Sequence, residues 1–333
     1  MKRPTLSDVA ELAGVSVSTA SQAYSRKRPV SKSTRARILD AASVLGYQPK
    51  HNGIPTVGLL VRPTEAIEDF PKGTTSFSSI TGAVTLACLH AGYSVIAERT
   101  ADAIIQSAPD LIGCIVLHPE YGDPELERLN SRGVPVVAFD ADTGKTKFDW
   151  WIGINYRNSV FNLLRHMHSS GASRIACIVG QTDNTYRRSI LWAYSAFAAE
   201  TGQTRLIRLV DTSSGRLGAA ETAAELFNTT KSPDGILASS SVFAAGVLDA
   251  SESTPGRQVP GSLKVATVFD GPLAEYARTP ITGLRIDMTH LGEQLVSLLK
   301  DRLAGATPPE KRESLHMGLV ARESTTSTTE NTD

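Results

Sequence analysis

Val17, Ser18, Ser21 and Gln22 are residues whose types and spacing suit the reading of base edges. The pairs 17/21 and 18/22 are four apart, so on a helix all four share one face. That face is short, polar and free of acids. It suits the floor of a major groove, where phosphate would repel a carboxylate. There a glutamine can pair bidentately with adenine, and a valine can meet a thymine methyl. Lys32, Arg35 and the run Arg26-Lys27-Arg28 carry charge that can neutralise phosphate. A second set of polar side chains is dispersed: Arg62, His118, Asp140, Asn155, Asp270 and the loop Gln181–Arg188 follow apolar, strand-like runs. Ligands of open α/β sheets bind at such carboxyl ends.

Three short helices must position the first set. Leu6, Val9, Ala10 and Ala13 fall at i, i+3, i+4 and i+7, one apolar face. Thr5 can cap that helix, with Asp8 as a short-armed capping box, and Gly14 can end it. Ser16 caps a second helix. Its Ala20, Ala23 and Tyr24 turn towards the first. A glycine-containing turn between two short helices is a helix-turn-helix arrangement. Ser31 caps a third helix, whose Ile38, Ala41, Ala42 and Leu45 close the small core and leave Lys32, Arg35 and Arg37 outside.

The stretch Thr5–Pro49 closely resembles the headpiece of the lac-repressor (LacI/GalR) family of bacterial transcription regulators. It carries T-L-S-D-V-A-E-L-A-G-V-S-V-S-T-A-S and later V-S-K-S-T-R-A-R-I-L-D-A-A-S-V-L-G-Y-Q-P. The resemblance continues more weakly in Ser169–Gly180, Val268-Phe269-Asp270, Pro280-Ile281-Thr282 and Arg322-Glu323-Ser324-Thr325. It implies a periplasmic-binding-protein-like core of two lobes that closes on a small effector. It places the chain crossings near Gly153–Tyr156, Gly271–Glu275 and Ser314–Met317. The expected DNA contacts are Thr5, Ser16, Val17, Ser18, Thr19, Ser21, Gln22, Ser31, Thr34 and Arg35.

Composition agrees. With 333 residues, 41% hydrophobic and 20% charged, the chain reads as a globular protein of two or three domains. Residues 1–52 hold nine Lys/Arg and three acids, a net of +6, so −6 falls on the rest of a chain of zero formal charge. A basic head on an acidic body favours nucleic acid at one end. No apolar stretch follows Lys2-Arg3 and no run approaches membrane-spanning length, so a cytoplasmic protein without membrane contact is expected. Cys88, Cys114 and Cys177 read as buried, reduced thiols without metal-ligand spacing.

Beyond the headpiece, strand and helix signals alternate in two rounds. The first has strands at 56–61, 94–98, 111–117 and 134–140, with helices at 80–91 and 124–131. The second has helices at 156–169, 188–200, 219–228, 243–250 and 289–303. Its strands are 173–179, 206–209, 235–238, 264–268 and 314–319. The expected fold is an all-α helix-turn-helix headpiece plus an α/β core of two doubly wound parallel-sheet lobes. The expected divisions are a DNA-binding domain at 1–49, a short linker at 50–55, a two-lobed effector-binding and dimerisation core at 56–323 and a disordered tail at 324–333.

The effector set expected is Arg62, His118, Asn155, Arg187, Arg188, Ser241 and Asp270. It departs from the family pattern. Ile190 stands at a place usually Arg, Ser241 and Asn155 at places usually Asp, and only Asp270 is kept. A sugar specificity is therefore not carried over. Trp150 and Trp151 can stack on a ring or pack near the first crossing. No dinucleotide fingerprint, phosphate loop, nucleophile elbow or zinc-protease motif is present, so neither an enzyme nor a cofactor is expected. An exported solute-binding protein would need a signal peptide. The expected function is a homodimeric regulator, a repressor of a catabolic or transport operon, that binds a near-palindromic DNA operator under a small-molecule effector. The alternative is a regulator with a degenerate pocket, acting without effector or through a protein partner. Only Lys50–Ile54 separates Pro49 from Pro55. Five residues with glycine among them cannot nucleate a stable helix, so a short tether replaces the family's hinge helix, with Ile54 as the one apolar wedge.

Overall fold

Thr5 opens the headpiece with a reciprocal cap: Asp8 N donates to Thr5 Oγ1 at 3.4 Å, and Thr5 N donates to Asp8 Oδ2 at 2.6 Å. Helix α1 (Leu6–Leu12) runs to Gly14, whose φ of 62° ends it. Ser16 Oγ then accepts from Thr19 N at 3.1 Å, starting α2 (Val17–Ser25). Ser31 Oγ accepts from Thr34 N at 3.1 Å, starting α3 (Lys32–Leu45). Val9, Ala10, Ala13, Ala20, Ala23, Ile38, Ala41 and Ala42 form a separate small core, with Leu45 and Tyr24 packed on it. The molecule is a computed structural model that describes residues 4–25, 30–47, 54–62, 76–142, 144, 148–313 and 315–326. The Arg26-Lys27-Arg28 loop, the Lys32 side chain, linker residues 50–53 and Ser314 lie outside the described residues.

Lobe 1 is a five-stranded parallel sheet in the order β2-β1-β3-β4-β5. The strands are β1 (Thr56–Val61), β2 (Ser94–Ala97), β3 (Leu111–Leu117), β4 (Val136–Phe139) and β5 (Trp151–Ile152). Alternate residues of a strand face opposite sides. Leu59, Ile115, Leu117, Val137 and Phe139 meet α4 (Ser76–His90) through Ile80 and Val84. Leu60, Cys114, Val116, Val136 and Ala138 meet α5 (Ala101–Ser107) and α6 (Pro124–Ser131) through Ile104, Leu126 and Leu129.

Lobe 2 is a six-stranded sheet in the order β11-β10-β9-β8-β6-β7, parallel except for the β10–β11 pair. Its strands are β6 (Ile175–Gly180), β7 (Leu206–Val210), β8 (Gly235–Ala238), β9 (Lys264–Thr267), β10 (Thr282–Ile286) and β11 (Met317–Val320). Helices α7 (Tyr156–Ser169) and α8 (Thr185–Thr201) pack against Ile175, Cys177 and Val179. Helices α9 (Gly215–Phe227) and α10 (Ser241–Glu252) cover Ala176 and Ile178 on the other face. A short α11 (Pro272–Glu275) follows β9.

The first and third expected crossings run together. Gly153 N donates to Arg312 O at 2.8 Å, Leu315 N to Gly153 O at 3.1 Å, and Ile154 bridges Leu315 in parallel. The second expectation, Gly271–Glu275, is corrected. Ala274 belongs to the lobe 2 core, and the chain crosses only after β10, at 286–288. There Asp287 caps α12 (Met288–Leu303), whose Leu291, Leu295 and Leu299 join the lobe 1 side of the core beside α4. The disordered tail is corrected at its start: Glu323–Thr325 forms a 3-10 turn with Ser324 and Thr325 buried. Ser324 Oγ donates to Val265 O at 2.6 Å, and Thr282 N donates to Ser324 Oγ at 2.8 Å. Small hydroxyl side chains read as low complexity in sequence but here satisfy buried strand ends.

Candidate DNA-reading surface and inter-lobe cleft

The outward face of α2 is where the periodicity puts it. Val17, Ser18 and Ser21 are exposed and Gln22 is half-buried, while Ala20 and Ala23 are buried beneath. Val17 is 47% exposed, an apolar group held in water with no core to enter. Gln22 Nε2 donates to Ser18 Oγ at 3.4 Å, which lays the amide along this face. Ser16 and Thr19 share a hydroxyl bond at 2.8 Å, and Ser31 and Thr34 share one at 2.7 Å. Thr5, Ser16 and Ser31 are exposed at the three helix starts, where unpaired backbone N–H groups favour an anion. Arg35 is half-buried and forms no ion pair among the described residues.

The second site lies where the carboxyl ends of β3 and β4 face lobe 2. His118 and Asp140 follow those strands, with φ of 53° and 74°. His118 Nδ1 is 2.8 Å from Asp140 Oδ2, and Tyr156 OH donates to the same oxygen at 2.9 Å. Tyr186, in the first turn of α8, comes from lobe 2. Its ring lies 5.1 Å from Tyr156, 5.4 Å from Phe269 and 6.5 Å from His118, and its hydroxyl donates to Ser239 O. Burial, with Asp140 near both rings, holds the Tyr156 and Tyr186 hydroxyls well above the ordinary phenol range. Both are neutral donors at any working pH.

The lobes also meet directly. Glu120 and Asn184 form an antiparallel bridge, Tyr121 N donates to Asp183 O at 2.9 Å, and Thr185 Oγ1 donates to Ala141 O at 2.6 Å. Arg188 stacks 4.4 Å over Tyr121 and binds Asp183 with both Nε (2.7 Å) and Nη2 (2.8 Å). The hydrogen bond from Arg188, with Arg187 adding its field, lowers the Asp183 carboxyl to about 2.

Of the expected effector residues, only His118 is seen in contact with this aromatic cluster. Arg62 is buried on Asp123 and Glu120, both at 2.9 Å. Asp270 is held by Arg322 at 2.8 Å and Arg285 at 2.7 Å. Burial opposes the Asp270 charge, but those two bonds outweigh it and lower its pKa. Asn155 caps α7 by accepting from Asn158 N at 3.2 Å. Ser241 is buried at the start of α10, with Ser240 as the cap. Arg187 binds Asp183 and Gln181 O, yet among the described residues its Nε is buried with no hydrogen-bond partner. Sequence reasoning passed over Tyr156, Tyr186, Phe269 and Asp123. Tyr186 stood inside the quoted loop, but no spacing rule brings it to Tyr156.

Residues 5–50 match the family described as "Bacterial regulatory proteins, lacI family", and residues 164–325 match "Periplasmic binding protein-like domain". The chain is 27% identical to the ribose operon repressor of Escherichia coli (strain K12) over 340 residues, covering 96% of this chain and 98% of that one. It is 26% identical to the HTH-type transcriptional repressor PurR of Glaesserella parasuis serovar 5 (strain SH0165) over 318 residues, 90% of each. Among solved structures it resembles a transcriptional regulator CelR–cellobiose complex, with a TM-score of 0.71, 25% identity and coverage of 97% and 100%. In fold it also matches the lac repressor dimer bound to operator and the anti-inducer ONPF, with a TM-score of 0.69, 21% identity and coverage of 98% and 100%. Among the described residues no helix is long and apolar enough to cross a membrane. The headpiece thus belongs to the lacI family of bacterial regulatory proteins, the core matches the periplasmic binding protein-like domain, and over nearly its whole length the chain is similar to bacterial transcriptional repressors.

Proposed function

We propose that this protein is a cytoplasmic repressor that binds a near-palindromic operator as a homodimer, each protomer reading one half-site with α2. The observation that carries this is the acid-free face of Val17, Ser18, Ser21 and Gln22, turned away from a closed headpiece core. Val17 and Gln22 contact bases. Thr5, Ser16, Thr19, Ser31, Thr34 and Arg35 contact phosphate and set the register. One headpiece is too small to bind tightly, so binding to a half-site should be far weaker than to the paired site. Operator selection from random duplexes, followed by affinity against salt for full and half sites, tests this. Arg35→Ala should flatten the log–log salt slope by about one unit. A full site bound no better than a half site would refute the dimeric reading.

The effector acts in the cleft between the lobes, against His118, Tyr156, Tyr186, Phe269 and the unsatisfied Arg187 Nε. Aromatic walls with few polar groups favour a compact, ring-bearing metabolite over a highly hydroxylated one. A second reading rests on the inter-lobe clasp of Tyr121, Asp183, Asn184 and Arg188, which holds the lobes together through the protein's own groups. On that reading the protein binds operator without an effector. A thermal-shift screen of metabolites separates the two, because a ligand of the folded core raises the melting temperature. A Tyr186→Ala variant should lose the shift.

A further inference from the structure

Two tryptophan–arginine pairs sit side by side at the start of β5. Arg312 lies 5.9 Å over the Trp151 ring, and its charge is met by Asp149 at 3.1 Å. Arg302, in the last turn of α12, lies 5.1 Å over the Trp150 ring. No carboxylate pairs with Arg302 among the described residues. Among the described residues its Nε, like that of Arg312, is buried without a hydrogen-bond partner, and its Nη2 reaches only Asn130 Oδ1, at a long 3.5 Å. Burial lowers its pKa below the ordinary arginine value. Beside it is a pocket of about 340 Å³ lined by Asn130, Gly133, Val134, Pro135, Trp150 and Arg302. The helix C-terminus explains why a cation is favoured there. It does not explain an open pocket with a guanidinium on its wall.

We propose that this pocket is a second ligand site, separate from the cleft, for a small carboxylate with a flat or apolar body. The carboxylate takes the place at Arg302 that Asp149 holds at Arg312. Asn130 offers an amide to the same group, and Trp150, Val134 and Pro135 give the apolar floor. The volume is at the small end of ligand pockets, so the ligand is about the size of a single ring.

The location gives the site a distinct role. Lobe 1 strands are parallel. Val134-Pro135 and Trp150 precede β4 and β5, so the pocket is at the strand ends where the chain enters from the headpiece. His118 and Asp140 are at the opposite ends, about 17 Å away for the five residue steps from Pro135 to Asp140. A ligand here sits on the headpiece side of the core and supplies an input that does not pass through the cleft.

Benzoate is the probe. The full-length protein, carrying Trp192→Phe to remove the exposed tryptophan, is titrated while emission from Trp150 and Trp151 is read. A saturable change is expected, weakened at least about tenfold by Arg302→Gln through loss of the charge-assisted bonds. Arg302→Lys should retain part of the affinity and guards against a misfolded Gln variant. Tyr186→Ala, in the cleft, should leave it unchanged. No saturable change with benzoate, or equal affinity in Arg302→Gln, would overturn the proposal. Loss with Tyr186→Ala would assign the signal to the cleft.

Discussion

His118 Nδ1 and Asp140 Oδ2 are 2.8 Å apart, and both residues stand on left-handed backbone at the ends of neighbouring strands. Positive φ is uncommon away from glycine and costs about 1–3 kcal/mol per residue. The two side chains hold each other and receive Tyr156 OH on the same carboxylate. Asp140→Ala should remove the bonds to His118 Nδ1 and Tyr156 OH and cost roughly 1–3 kcal/mol for each. Urea denaturation checks this. Asp140→Asn, which can still accept one bond, should cost less.

Asp270 behaves differently from the sequence expectation. Two arginines occupy it, and its side chain is 1% exposed. Asp270→Ala should therefore destabilise the core by about 1.5–3 kcal/mol, because the half-buried Arg322 loses its two bonds to this carboxylate and keeps only Ile281 O and the more distant Glu275. Arg285→Ala, from the exposed side of the same network, should cost far less. An Asp270→Ala protein of unchanged stability would return this residue to the effector.

Stability should fall on mild acidification. His166 Nε2 is 2.9 Å from Thr325 Oγ1, and burial lowers the His166 pKa. The unfolded chain then takes the proton first. The contribution is complete above about 6.5 and is lost as pH drops through the lower folded value. Melting temperatures across this window should decline in the wild type and decline less in His166→Gln.

The three thiols should be inert. Burial raises Cys88 to about 11 and both Cys114 and Cys177 to about 12. A thiol reagent at neutral pH should label none of them in the folded protein and all three after denaturation.

Local signals were readable because their causes are local. Thr5–Asp8, Gly14, Ser16 and Ser31 each act within four residues, and all four stand as the spacing requires. Apolar runs such as Leu111–Leu117 announced their strands. Trp151–Ile152 is too short to signal, and Thr282–Ile286 carries a glycine and an arginine, so β5 and β10 escaped. The second crossing was misplaced for the same reason: without β10 the chain appears to leave lobe 2 one element early. At the cleft the residue types were legible, but their partners were not. Arg62 meets Asp123 across 61 positions, and Asp270 meets Arg322 across 52. Nothing in composition or period connects residues so far apart. An arginine at a strand end therefore read as a ligand contact when it is an internal ion pair.

Helix α2 reads sequence, on the proposed function, through Val17, Ser18 and Gln22. The direct measurement is the affinity of the wild type and Gln22→Ala for the selected operator and for each of its single-base variants, at fixed salt. A glutamine bound bidentately to adenine discriminates by about 1–3 kcal/mol at one position. Gln22→Ala should lose that discrimination at one symmetric pair of positions and keep the rest of the base profile. A uniform loss of affinity with the profile unchanged would place Gln22 on the backbone or outside the interface, and would contradict the reading of this face.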